Sequence, residues 1–302
     1  MHIAVTNVHL DLGAGRRGTD MGPSAMHVAG LLPKLRDLGH TISEIQSIGT
    51  QTYEEGDPGE QSARFLPVIH KVCSDLADVV ESAVDVGRFP LVLGGDHSQA
   101  IGTVSGITRV WKRTGKRLGV LWFDAHTDMN TPDSSPSGNI HGMPLATLLG
   151  TGDPTLVALA GGEPALRPED VVVFGARDVD AAESPVVKEL GVRVYTMSEI
   201  DRRGTAVCAE EAIAHISRFT DGLHLSFDLD GVDPKDAPGV GTPVPGGLSL
   251  RESHMICEMM SQTGRLAGME MVELNPTLDQ ANHTGQLAVW LIQSALGKRI
   301  MQ

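Results

Sequence analysis

LGVLWFDAHTDMN, residues 118–130, opens on an unbroken apolar run from Leu118 to Phe123 and closes on Asp124, His126 and Asp128. A short continuous run of this kind reads as a strand buried on both faces, the type that parallel sheets flanked by helices contain. In an extended backbone alternate side chains share a face, so the spacing predicts Asp124, His126 and Asp128 on one side and Phe123, Ala125 and Thr127 on the other. Two carboxylates and an imidazole converging past a strand end would repel one another and resist desolvation unless a cation or bound protons neutralise them.

The same grammar extends in both directions. HIAVTNV (2–8), PLVLGG (90–95), DVVVFGA (170–176), VRVYTM (192–197), GLHLSFDLD (222–230) and GMEMVEL (268–274) are further strand-like runs. Helical patterns such as LADVVESAVDVGR (76–88) and CAEEAIAHISRF (208–219) separate them. Strands alternating with helices predict a three-layer α/β/α fold with a mostly parallel central sheet. Ligands in such sheets bind beyond the carboxyl ends of the strands, where the polar motifs of this chain fall.

The chain has 302 residues, and its 41% hydrophobic content is enough for a substantial core. No repeat, low-complexity tract or linker divides it, so residues 1–302 read as one domain. TPDSSPSGN (131–139) and KDAPGVGTPVPGG (235–247) read as long loops over a strand-end site. The 24 basic residues against 38 acidic ones give a net charge of −14, which argues against a nucleic-acid surface and is compatible with a cationic substrate. No apolar run reaches the roughly 18 residues of a membrane span, and MHIAVTNVHLDL lacks the basic and apolar regions of a signal peptide. A cytoplasmic protein with no membrane partner is expected. Cys73, Cys208 and Cys257 lack paired spacing and read as reduced, buried fillers. GAGRRG (13–18) fits a dinucleotide pattern, but no Rossmann helix start follows it, so a simple turn is expected.

Two more stretches carry chemistry. PLVLGGDHS ends a strand in a Gly-Gly turn with His97 at the strand end, and Ser98 is placed to cap a helix through QAIGTV. In GLHLSFDLDGVDP, Asp228 and Asp230 are predicted to share one strand face. His97, His126, Asp124, Asp128, Asp228 and Asp230 together supply two imidazoles and four carboxylates. Two divalent cations balance four negative charges, and shared carboxylates can hold such a pair about 3.5–4 Å apart. Oxygen-rich ligation with imidazole suits manganese, although the affinity order alone leaves cobalt, nickel and zinc open. Asp96 reads as an outer partner of the site, Asp233 as a turn former and His224 as a core histidine.

GGDHS, DAHTD and SFDLDGVDP, in this order, together with GPSAMHVAGLL (22–32) and MVELNP (271–276), resemble the ureohydrolase (arginase/agmatinase) family, and within it arginase most closely. The resemblance covers most of the chain. It implies a manganese pair with a bridging hydroxide, two Mn²⁺ per chain. Asp124 and Asp228 would bridge, His97 and Asp128 would complete one coordination sphere, and His126 and Asp230 the other. It implies hydrolysis of L-arginine to L-ornithine and urea, with a proton reaching the leaving amine through Asp128 while His141 assists. It also implies a homo-oligomer, a trimer or hexamer.

Asn130, Ser137 and Asn139, in the loop after the metal strand, can donate hydrogen bonds to a carboxylate without adding charge. The segment looks like the arginase loop that recognises an α-carboxylate, a group that agmatine lacks. RDVDAAES (177–184) resembles the segment where Asp180 receives the α-ammonium, with Glu183 nearby. His141 has an ordinary pKa suited to proton transfer near neutrality, and the resemblance makes it an acid or shuttle. Glu273, at another strand end, is expected to be an unpaired carboxylate able to grip a guanidinium. Thr242 should line the pocket. The rival readings are another guanidino or amidino hydrolase such as agmatinase, or a non-catalytic metal-binding regulatory protein. No function follows from IGTQTYEEGDPGEQSARF (48–65).

Overall fold

The computed structural model describes residues 1–301. Eight strands form one sheet: β1 (His2–His9), β2 (Thr41–Gly49), β3 (Phe89–Leu93), β4 (Leu118–Phe123), β5 (Val171–Ala176), β6 (Arg193–Thr196), β7 (Gly222–Asp228) and β8 (Leu266–Val272). Their order is β2-β1-β3-β8-β7-β4-β5-β6, and every pairing is parallel. The expected three-layer α/β/α architecture is what forms, with the sheet parallel throughout.

The alternation along the buried strands sorts side chains into two cores. Leu91, Leu93, Leu121, Phe123, Leu225, Phe227, Met269 and Met271 enter one apolar cluster, which the helices Thr205–Ser217, Leu250–Gln262 and His283–Ala295 cover. Val92, Val120, Trp122 and Val173 enter the other, beneath the helices Leu66–Asp85 and Ala100–Arg113. Both faces of the central strands are therefore buried, which is why β3 and β4 read as unbroken apolar runs, while β7 and β8 carry the buried polar side chains of His224, Ser226 and Glu270. β2 is the exception that the sequence reading missed. It lies at the sheet edge with a mostly exposed or half-buried pattern, so TISEIQSIG carries no continuous apolar signal.

The strand order positions the site. β3, β8, β7 and β4 are consecutive in the middle of the sheet, and their carboxyl ends lead into His97, Glu273, Asp228 with Asp230, and the Asp124–Asp128 turn. Four segments that are far apart in the chain thus open onto one rim. The three cysteines are buried and free. No helix among the described residues is long and apolar enough to cross a membrane.

Candidate active site

Each of the three motifs leaves its strand by the same local device. An aspartate carboxylate accepts the backbone N–H two residues on: Asp96 from Ser98 (3.1 Å), Asp124 from His126 (2.6 Å) and Asp228 from Asp230 (2.7 Å). Short acidic side chains favour such turns, and these turns end the extended backbone. The expectation of a strand running on through the motifs is therefore overturned. β4 stops at Phe123, Asp128 sits in the left-handed region at φ 51°, and Asp230 lies in a 3-10 turn, Leu229–Gly231. The side chains converge because the chain curls, with no shared strand face involved. The cap at His97–Gln99 is likewise Asp96 and not Ser98. Gly95 is needed where it stands, since a Cβ there would lie 1.8 Å from the Leu10 carbonyl oxygen.

His97 Nδ1 faces three carboxylates, at 3.2 Å from Asp124 Oδ2, 3.0 Å from Asp128 Oδ2 and 3.1 Å from Asp228 Oδ2. His126 Nδ1 lies 3.1 Å from Asp230 Oδ2 and 3.4 Å from Asp124 Oδ1. Two donor groups result, His97/Asp124/Asp228 and Asp124/His126/Asp230, each with its ligand atoms within 4.8 Å of one another. Asp124 belongs to both.

The electrostatics are those of a crowded anionic site. Burial alone would lower the His97 imidazole, but its contacts with Asp124, Asp128 and Asp228 hold it well above its ordinary value. Burial and the neighbouring Asp230 and Asp124 charges push Asp228 well up, while burial and Asp124 push Asp128 up to about 7. Asp124 is held well below the carboxylate range, because its contacts with His126 and His97 outweigh its burial. A cation that binds such donors displaces the protons they retain for want of a counter-charge. His97 Nδ1 and Asp128 Oδ2 are buried without a hydrogen-bond partner, so the donor set fits a metal.

The wall of the cleft is built from loops. Asn130 is committed to structure: its Nδ2 donates to Asp180 Oδ2 (3.0 Å) and its Oδ1 accepts from Ser134 (2.9 Å). Ser137 and Asn139 line the cleft with Asn130, and among the described residues neither side chain donates to the protein, so both keep donors for a ligand. Asp180 is exposed at the mouth. Glu183 is different. It is buried, and its Oε1 accepts from Thr127 Oγ1 (2.5 Å) and Met129 N (2.8 Å), which latches the Thr127–Met129 turn.

Glu273 departs from the expected unpaired carboxylate. Its Oε1 accepts the His97 N–H (2.9 Å) and meets His141 Nδ1 at 3.1 Å. Only Oε2 is buried and unpartnered. Glu273 and Asp128 are two of the five non-glycine residues at positive φ among the described residues, a strain that the surrounding structure must hold in place. Burial opposes the His141 imidazolium, but Glu273, helped by Asp96 and Asp128, raises it to about 9. Thr242 lines the cleft and donates to Asp230 Oδ2 at 3.0 Å. Asp233 accepts three backbone amides, from Lys235, Gly246 and Gly247, as a turn former should.

Several supports escaped the sequence reading. Trp122 stacks on His97 with ring centroids 4.2 Å apart, and its Nε1 donates to Asp124 Oδ2 at 2.9 Å. Arg177 pins the Asp230 turn by donating to the carbonyls of Asp230 (2.6 Å) and Val244 (2.8 Å). The GAGRRG turn braces the rim: Gly13 donates to Asp96 Oδ2 (2.8 Å) and accepts the His141 N–H (3.1 Å). In the segment 48–65, Arg64 N donates to the Gly138 carbonyl (2.9 Å), which ties that segment to the loop 131–139 on the cleft wall. An aromatic within an apolar strand or an arginine after one carries no local signal of such a role. Only the fold reveals it.

Residues 1–297 match the Arginase family. An arginase of Bacillus caldovelox is 47% identical over 99% of both chains, and one of Bacillus subtilis strain 168 is 48% identical over the same shares. The crystal structure of an arginase from Bacillus cereus superposes with a TM-score of 0.93 at 46% identity, covering 99% of this chain and 100% of that one. With the motif order, the rim geometry and near-complete coverage in agreement, this chain belongs to the arginase family.

Proposed function

We propose that this protein hydrolyses L-arginine to L-ornithine and urea with two manganese ions held by His97, Asp124, His126, Asp128, Asp228 and Asp230. The observation that carries the reading is the sharing of Asp124 by two donor groups, buried except for the half-buried His126, in a cleft walled by the 130–141 loop. When bound, the ions would supply Lewis acidity that lowers the pKa of a water and stabilises charge in the transition state.

The chain's own residues bind and orient. Glu273 Oε2, buried and unpaired, accepts from the guanidinium, and the charge-assisted contact offsets its desolvation. Ser137 and Asn139 donate to the α-carboxylate, while Asp180 accepts from the α-ammonium. Asp128 carries a proton from the attacking water to the nitrogen that leaves as ornithine's terminal amine. His141 assists through Nε2, since its Nδ1 is turned to Glu273. Thr242 completes the wall, and Glu183 holds the Thr127–Met129 turn in register.

Urea release from arginine in the presence of manganese tests the reading, with agmatine as the discriminating substrate. Release from arginine alone supports it, release from agmatine alone replaces it with agmatinase, and no release from either overturns catalysis. One continuous sheet supports reading residues 1–302 as a single domain. The family resemblance supports a cytoplasmic trimer or hexamer, which light scattering of the purified protein checks.

A further inference from the structure

We propose that Glu270, acting through Ser226, is a positioning residue that fixes His97 in the tautomer presenting a bare Nδ1 to the carboxylate cluster.

Glu270 is out of character for its place. It lies in β8 between Met269 and Met271, fully buried in the middle of the sheet, where an acid is costly to keep. The register sets it beside Ser226 of β7, and Trp122 of β4 lies on the far side of Ser226. His224 sits two residues before Ser226, so it shares that sheet face, and it pairs with Gly268, where a Cβ would come within 3.0 Å of its Nδ1.

These residues form one chain of contacts. Ser226 Oγ lies 2.8 Å from Glu270 Oε1 and 2.8 Å from His97 Nε2, and His224 Nε2 lies 3.3 Å from the same glutamate oxygen. A hydroxyl has one proton, and a carboxylate only accepts. Ser226 therefore spends its proton on Glu270 and must accept from His97, which places a proton on Nε2. In the neutral ring Nδ1 is then bare. That is the atom 3.0–3.2 Å from Asp124, Asp128 and Asp228, and it has no hydrogen-bond partner. Trp122, stacked on the ring, holds its plane. A buried carboxylate that orients a metal-binding imidazole raises the ring's basicity as well as fixing its tautomer, and here a serine hydroxyl relays the effect. A plain core ion pair between His224 and Glu270 would leave the Ser226 contact with His97 unexplained.

The inference rests on the metal reading above, and manganese binding by competition with a chelator, followed in parallel with the spin-coupled resonance signal of a manganese pair, separates the two. Ser226→Ala and Glu270→Gln are expected to weaken one of the two ions by about 10–100-fold and to leave the other near its parental affinity. Ser226→Thr, which keeps the hydroxyl, should restore tight binding of both. Should Glu270→Gln fail to fold, Ser226→Ala decides alone, because it leaves the Glu270–His224 contact in place. Folded Ser226→Ala protein that binds two ions as tightly as the parent overturns the relay and assigns these residues to packing. A parent protein that binds no manganese overturns the metal reading first, and the relay with it.

Discussion

His141 Nδ1 lies 3.1 Å from Glu273 Oε1, the same oxygen that accepts the His97 amide at 2.9 Å. One carboxylate oxygen thus joins the loop expected to move protons to the turn expected to hold metal. The other oxygen, Oε2, is buried and without a hydrogen-bond partner among the described residues. Because His141 touches the site through Glu273 and not through the metal donors, His141→Ala should keep both ions and lose roughly 10²–10⁴ in kcat. Added imidazole should restore part of that rate and none of the rate lost in His126→Ala. A fully active His141→Ala protein, or one depleted of an ion, would remove the assignment.

The same pair gives a pH dependence of definite sign. The folded-state pKa of His141 is raised to about 9, above the ordinary histidine value of about 6.5. The imidazolium therefore persists through neutrality and disappears as the pH rises through about 9. An acid role predicts that kcat falls on this alkaline limb, and that the limb disappears in His141→Ala. The stability that the ion pair contributes should be complete below about pH 6.5 and lost over the same upper window. Rate profiles and denaturant midpoints between pH 6 and 10 measure both.

Metal stoichiometry tests the sharing of Asp124. Since Asp124 enters both donor groups and Asp230 only one, Asp124→Asn should deplete both ions, while Asp230→Asn should deplete one. Metal content per chain after dialysis distinguishes them. Equal losses in the two variants would show that the groups are not linked through Asp124.

Much of this site was legible in the sequence because its chemistry is local. Each motif is an apolar strand that ends in closely spaced acids and imidazoles, and a parallel sheet gathers such ends on one rim. What misled the reading was the spacing. Asp124 and Asp228, each two residues before another donor, suggested one strand face, yet the same spacing lets each carboxylate bond the second amide on and curl the chain. Either geometry brings the donors together, so the cluster survived a wrong account of its backbone. Glu273 and Glu183 show the other limit. Each is a lone acid whose partners, His97 and His141 for one and Thr127 and Met129 for the other, lie far away in sequence. β2 was invisible for an energetic reason, since an edge strand exposed on one side need not be apolar.

Substrate choice follows from the donors left open on the wall. Ser137 and Asn139 would lose their acceptor if agmatine replaced arginine, and each hydrogen bond to a charged carboxylate that is forgone is worth about 1.5–3 kcal/mol. Arginine should be preferred over agmatine by at least about 10³ in kcat/KM, and the double variant Ser137→Ala with Asn139→Ala should erode that ratio through KM. Comparable turnover of the two substrates by the parent would remove the arginine assignment while leaving the family intact.

Asp180 and Glu183 stand three residues apart and should behave oppositely. Asp180 is exposed at the mouth, and its carboxylate accepts from the side-chain amide of Asn130. Removing it should raise the KM for arginine by weakening the grip on the α-ammonium, with a change in stability within about 0.5 kcal/mol. Glu183 is buried and accepts from both Thr127 and Met129 at the turn that leads into Asp128. Glu183→Ala strands a buried backbone N–H and a hydroxyl, at a cost of about 1–3 kcal/mol for each group left unpaired. It should therefore lower the denaturant midpoint clearly. It should also lower kcat, because the turn it releases carries Asp128, a group that the proposed chemistry needs in register. Urea unfolding and steady-state kinetics on both variants give the comparison. If Glu183→Ala changed only KM while Asp180→Ala unfolded readily, the latch and the substrate contact would have to exchange places.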